Sequence, residues 1–320
     1  MKILVTGGCG YVGTLLTRQL LADGHTVVVV DIQWFGNHLQ PHPNLTIIQA
    51  DIRDIDKIPM DGVTSIIHLA NIANDPSGDL NSKLTWEVNV LASKTLVEKA
   101  IRHNVKQFIY ASSGSVYGIK EEDKVTEDLD LLPISDYNKT KMISERVLLS
   151  YGSAIAIQCI RPATVCGYSP RMRFDISVNL LTLLALKNKE ISVFGGSQTR
   201  PNIHILDLVD VYRHFLALGT TQQGIFNAGF ENLSILEVAE LVQSKIPSSI
   251  KITSSNDPRS YRLCSDKLLQ TGFYPKYNVA YGIHEIIGQY NQGALTDNDI
   301  HYNMRVMQKV IPDSGLVSLI

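Results

Sequence analysis

Tyr137 and Lys141 are four residues apart, so on a helix they share one face. Ser113 follows the apolar run Gln107 to Ser112, which predicts a strand. A Ser, a Tyr and a Lys brought to one point can move a proton off a hydroxyl. A free phenol has a pKa of about 10. A neighbouring ammonium, with a further positive charge beside it, stabilises phenolate and is expected to bring that value toward working pH. Tyr137 would then take the proton of a hydroxyl whose carbon gives up hydride. Ser113 would hydrogen-bond the same oxygen and hold the geometry. A Tyr four before a Lys is common on helix faces, so its meaning depends on what surrounds it.

The surroundings are set by Lys2 to Gly13, KILVTGGCGYVG. Ile3, Leu4 and Val5 form a run of the kind buried in a parallel sheet. Gly7, Gly8, Gly10 and Gly13 follow, and a helical pattern starts by Leu15. This strand-to-helix turn aims a helix N-terminus and bare backbone N–H groups at one point, which suits a pyrophosphate. A second buried run, Val27 to Val30, ends in Asp31, where a carboxylate can accept both ribose hydroxyls of an adenosine. The same charge repels a 2′-phosphate, so NAD is expected over NADP. Its positive nicotinamide is the further charge beside Tyr137, and Lys141 would also hold the nicotinamide ribose.

The remaining elements alternate. Strands are predicted at Leu45 to Ala50, Ser65 to Leu69 and Ile155 to Ile160, and helices at Trp86 to His103 and Asn138 to Ser150. The fold class expected is α/β, with a Rossmann-type doubly wound parallel sheet. Asp51 ends its strand and either accepts from the adenine amine or caps the next segment. His68 is expected to be packed and hydrogen-bonded. After Arg161 the character changes, with helices at Ile176 to Lys187, Leu206 to Leu218, Ser234 to Lys245 and Ala280 to Tyr290. Strands Ile191 to Phe194 and Gly224 to Ala228 lie among them, and Ser234 with Glu237 forms a capping box. Tyr302 to Val310 is amphipathic, and the tail from Thr296 suggests packing alone.

The bulk numbers exclude several classes. The chain has 320 residues, 44% hydrophobic and 19% charged, with net charge −2. Nothing in that balance points to nucleic acid or a membrane surface as partner. Cys9, Cys159, Cys166 and Cys264 lack metal-ligand spacing and are expected to be reduced; no metal is expected. No apolar stretch of about 18 residues is present, and the first strand starts at the N-terminus, so a cytoplasmic protein is expected.

TGGxGxxG, Asp31, His68-Leu69-Ala70, Asn89, SSxSVYG, Tyr137/Lys141 and Arg161-Pro162 occur in register. With them the chain resembles the extended short-chain dehydrogenase/reductase family, specifically its NAD-dependent nucleotide-sugar epimerases and dehydratases. The resemblance implies catalytic Ser113, Tyr137 and Lys141. It places Gly7, Gly10, Tyr11, Val12, Gly13, Asp31, Ile32, Asp51, Ile52, Leu69, Ala70, Asn89, Tyr137, Lys141 and Pro162 on NAD. It puts Ser113, Thr164, Asn179, Arg200 and Arg259 (or Arg262 in its place) on a nucleoside-diphosphate sugar. A homodimer through the helices around Val88 to Ala100 and Asn138 to Ser150 is also implied. Residues 1–165 with 203–228 would bind NAD, and a smaller mixed α/β part, 166–202 with 229–320, would cover the sugar nucleotide.

Two departures narrow the activity. Dehydratases of the family carry Asp-Glu after the catalytic Ser/Thr, where this chain has Gly114 and Ser115. Thr164 stands where many 4-epimerases have Asn. The segment Ser169 to Asp175 is similar to that of surface-polysaccharide enzymes, some of which oxidise C4 without epimerising. Its Arg171 and Arg173 either reach the substrate or brace the loop. The expected activity is therefore epimerisation through a 4-keto sugar in surface-polysaccharide synthesis. The alternative is a C4 dehydrogenase or a 4-keto reductase.

Overall fold

The computed structural model describes residues 1–255 and 260–311. Its strands are β1 (Lys2–Thr6), β2 (Thr26–Asp31), β3 (Leu45–Gln49), β4 (Ser65–His68), β5 (Gln107–Ala111) and β6 (Ala156–Pro162). Then come β7 (Thr164–Cys166), β8 (Glu190–Phe194), β9 (Thr199–His204), β10 (Gly224–Ala228), β11 (Glu231–Ser234) and β12 (Ser249–Thr253). Seven of them form one parallel sheet in the order β10-β6-β5-β4-β1-β2-β3. Runs such as TVVVVD and AIQCIRP suit it, because helices cover both faces and nearly every position is buried.

On one face Leu16 and Leu20 of the helix Tyr11–Ala22 meet Leu208 and Phe215 of the helix Ile205–Leu218. On the other, Leu96 and Val97 of Ala92–Arg102 pack with Leu148 of Asp136–Leu149. Strand order reverses between β1 and β4, which opens a crevice at their carboxyl ends.

The helix expected over Trp86 to His103 is more complex. It starts at Ser82, passes through a π-helical turn at Glu87–Leu91, and continues as Ala92–Arg102. A second layer of structure follows β6. A three-stranded sheet, β11-β9-β7, and the parallel pair β12-β8 pack with the helices Ser177–Asn188, Ile235–Lys245 and Val279–Asn291. Val178, Val238, Val242 and Ile283 form its core. The capping box at Ser234 and Glu237 is present.

The last described helix, Asn303–Val310, differs from its expected place with the second part. Met307 and Ile311 bury among Leu4, Val28 and Ile66 of the large sheet's cluster. Among the described residues no helix is long and apolar enough to cross a membrane, and no cluster could hold a metal ion.

Candidate active site

A cleft of about 630 Å³ runs from the carboxyl ends of β1 and β2, past Tyr137, to Phe194 and Arg200. The glycine turn forms its floor. Gly7 has φ +73°, and a Cβ there would lie 2.7 Å from the Ala70 nitrogen. A Cβ on Gly13 would lie 2.2 Å from the Gly7 carbonyl oxygen, so only glycine lets the helix approach the strand. Asp31 accepts from the Cys9 N–H at 2.9 Å and the Gln33 N–H at 2.7 Å. Burial raises its pKa, and those two bonds oppose the rise. The floor therefore fits a dinucleotide: a helix N-terminus at Tyr11 without a side-chain cap, and a carboxylate one strand away.

Of the residues expected on NAD, all but Asn89 line this cleft, from Gly7 to Asp31 and Ile32, Asp51 and Ile52, Leu69 and Ala70, and Pro162. Asn89 is a correction. Its amide is used on the Ile72 backbone, at 2.8 and 3.2 Å, and on Thr140 Oγ1 at 3.0 Å. It positions the Leu69–Ile72 rim from behind. For Asp51 the capping alternative is present: its carboxylate accepts the Arg53 N–H at 2.8 Å and pairs with the Arg53 guanidinium. His68 is packed, between Thr6 Oγ1 at 2.6 Å and Ser93 Oγ at 2.8 Å, and burial takes its pKa down to about 3.

Ser113, Tyr137 and Lys141 converge at the middle of the cleft. Ser135 caps the helix Asp136–Leu149 by accepting from the Asn138 N–H, which fixes Tyr137 in the first turn. Ser113 Oγ lies 2.7 Å from Ser115 Oγ, and Ser115 Oγ donates to Asn138 Oδ1 at 2.5 Å. The Asn138 amide then donates to Asp75 Oδ1 at 3.0 Å, an oxygen that Ser135 Oγ also reaches. Sequence reasoning did not single out Asn138 or Asp75, since a side-chain chain of this kind leaves no periodic trace.

Lys141 is 1% exposed and donates to the Ala111 carbonyl at 2.7 Å. Burial takes its pKa down to about 7, against the pull of Glu145. Tyr137 departs from the expected direction. Burial and then Asp75 push it up to about 12, while a Ser113 hydrogen bond and Arg173 pull it back. The protein alone holds the phenol protonated. Glu145, one turn after Lys141, forms a buried bidentate pair with Arg161 at 2.9 and 2.6 Å.

Thr164 and Arg200 line the cleft as expected of substrate-side residues. Asn179 does not. It is fully buried, accepts from the Gly167 N–H at 3.1 Å, and donates to Tyr11 Oη at 3.1 Å and the Arg173 carbonyl at 2.9 Å. It braces Tyr11, at the start of the first helix, against the loop that carries Arg173. Arg259 lies outside the described residues.

Comparison with known proteins agrees with this geometry. The profile of the NAD dependent epimerase/dehydratase family matches residues 3–229. A UDP-glucose 4-epimerase from Halalkalibacterium halodurans is 31% identical, over 87% of this chain and 91% of its own length. The structure of a UDP-glucuronic acid 4-epimerase from Bacillus cereus, in complex with UDP-glucuronic acid and NAD, is 26% identical with a TM-score of 0.78, covering 91% of this chain and 99% of that one. A dTDP-glucose 4,6-dehydratase from Streptomyces venezuelae with NAD bound, 23% identical, shares the fold with a TM-score of 0.82 over 92% and 98%. By the match over residues 3–229 and the cleft those residues build, the chain belongs to the NAD-dependent epimerase/dehydratase family, and NAD is its cofactor.

Proposed function

We propose that the protein is a nucleotide-sugar 4-epimerase working through a 4-keto intermediate. The observation that carries this reading is the meeting of Ser113, Tyr137 and Lys141 in the same cleft as the dinucleotide cradle and Arg200. NAD, when bound, supplies the hydride acceptor and returns the hydride. Tyr137 takes the proton of the C4 hydroxyl as the hydride leaves, and gives it back when the ketone is reduced. Ser113 donates to the same oxygen. With the phenol at about 12 in the protein alone, positive charge must be added before Tyr137 acts as a base. The positive nicotinamide ring of bound NAD would supply it, beside Lys141. Arg200 offers a planar fork to diphosphate oxygens, as Arg259 would from outside the described residues.

Ser115 is bonded to Ser113 and Asn138, and Gly114 has no side chain, so neither position supplies a carboxylate for elimination. Thr164 in the cleft favours a second reading, net C4 oxidation or its reverse. Incubation with a panel of UDP-, GDP-, CDP- and dTDP-sugars separates the two. Unchanged mass with altered stereochemistry supports the epimerase. A product two mass units lighter with equimolar NADH supports the dehydrogenase.

The setting we propose is cytoplasmic synthesis of surface-polysaccharide sugars by a homodimer, with residues 1–165 and 203–228 holding NAD. Leu91, 57% exposed on the helical segment expected to dimerise, supports the homodimer, and light scattering of the eluted protein tests it.

A further inference from the structure

The loop Ser169 to Asp175 carries two guanidiniums into the cleft, Arg171 near Asp31 and Phe35 and Arg173 near Tyr11 and Tyr137. Arg171 is 2% exposed. Its guanidinium stacks on the Phe35 ring at 4.0 Å, and its Nη2 donates to Asn303 Oδ1 at 2.5 Å. Arg173 Nε pairs with Asp175 Oδ1 at 2.9 Å. Each keeps a donor in reserve: Arg171 Nε and Arg173 Nη2 are buried and have no hydrogen-bond partner among the described residues. A buried donor of this kind is costly unless something accepts from it.

Arg171 and Arg173 act on each other across one intervening residue, and burial and then Arg173 take the Arg171 pKa down to about 9. Asp175 is the carboxylate between them, and it also accepts from the Asn303 N–H at 3.0 Å and the Asn74 amide at 3.2 Å. Both guanidiniums feel Tyr11, the first residue of the helix that leaves the glycine turn, and Arg171 also feels Asp31. That helix has no acid in its first turn. Two guanidiniums with unpaired donors and an uncapped helix N-terminus thus line one cleft.

We propose that Arg171 and Arg173 close over the diphosphate of NAD from the side opposite the glycine turn, and that Asn303 holds them there. The helix Asn303–Val310 is fastened to the large sheet through Met307, so the clasp joins the last described segment, the Ser169 to Asp175 loop and the cofactor floor. It gives the tail a function that packing alone did not. It rests on NAD as cofactor and is independent of whether the sugar is epimerised or oxidised.

Titration of the full chain, stripped of nucleotide, with ADP, adenosine and UDP tests the clasp. ADP carries the diphosphate of the NAD adenosine half, and UDP that of the substrate. Arg171→Gln and Arg173→Gln should each lower ADP affinity by about tenfold or more, with adenosine and UDP affinity unchanged. Asn303→Ala should act in the same direction and speed the loss of NAD on dialysis. Arg171→Lys, which keeps the charge, should retain part of the ADP preference and covers the case in which Arg171→Gln does not fold. An ADP-to-adenosine ratio equal to the wild type in these variants overturns the proposal. So does a loss confined to UDP, which would put the arginines on the sugar nucleotide.

Discussion

Lys141 ties the two halves of the catalytic site together: its Nζ donates to the Ala111 carbonyl at the end of β5 at 2.7 Å and lies 5.8 Å from the Tyr137 ring centroid. It also lies 4.9 Å from the Tyr110 ring centroid. An ammonium on two aromatic faces and one carbonyl has exchanged water for weak acceptors, which is why burial dominates its titration.

That burial has a pH signature. The folded value of about 7 lies below the ordinary lysine range, so folding disfavours the charged form. The resulting penalty is absent above about pH 10.4, grows as pH falls, and is complete below the folded value. Lys141→Met removes the titrating group. In protein stripped of nucleotide, its melting temperature relative to the wild type should rise as pH is lowered from about 10 to about 6. A difference that stays flat with pH would contradict this placement of Lys141.

Tyr137→Phe deletes one oxygen from a residue whose backbone is fixed by the Ser135 cap. Turnover should fall by about 10²- to 10⁴-fold, with the melting temperature and bound NAD nearly unchanged. Steady-state kinetics and absorbance of the purified protein measure both. Full activity in this variant would take Tyr137 out of the proton transfer.

Glu145 and Arg161 are each 2% exposed in their side chains, and the Glu145 carboxylate also receives the Ser112 hydroxyl. Glu145→Ala leaves a buried guanidinium without its charge partner. The expected loss is about 3–5 kcal/mol of folding stability, read by urea denaturation. Glu145→Gln, which keeps an acceptor for Ser112, should lose less.

The parts legible in the sequence were those set by local spacing. The glycine turn, Asp31 and the Tyr137/Lys141 pair each need only a strand end or one helix turn to fix their position. Directions of polar side chains were not legible. Asn89 and Asn179 carry the right residue types, yet they point away from the cleft because backbone groups of Ile72 and Gly167 claim their amides. β9 was not among the expected strands, since Pro201 cannot donate to a ladder. It fits because Pro201 pairs with Asn232 on one side and lies just before the β7 pairing that begins at Asn202. The docking of Met307 and Asn303 joins residues far apart in the chain, and no periodicity announces such contacts.

Hydride bookkeeping tests the central claim most directly. A 1:1 mixture is prepared of unlabelled sugar nucleotide and the same compound carrying deuterium at C4 and carbon-13 through the ring. If the protein oxidises C4 and returns the same hydride, both C4 epimers form and mass spectrometry finds deuterium only on carbon-13 rings. Deuterium in free NADH, or on unlabelled rings, would mean that the hydride leaves the site, and the epimerase account would fail.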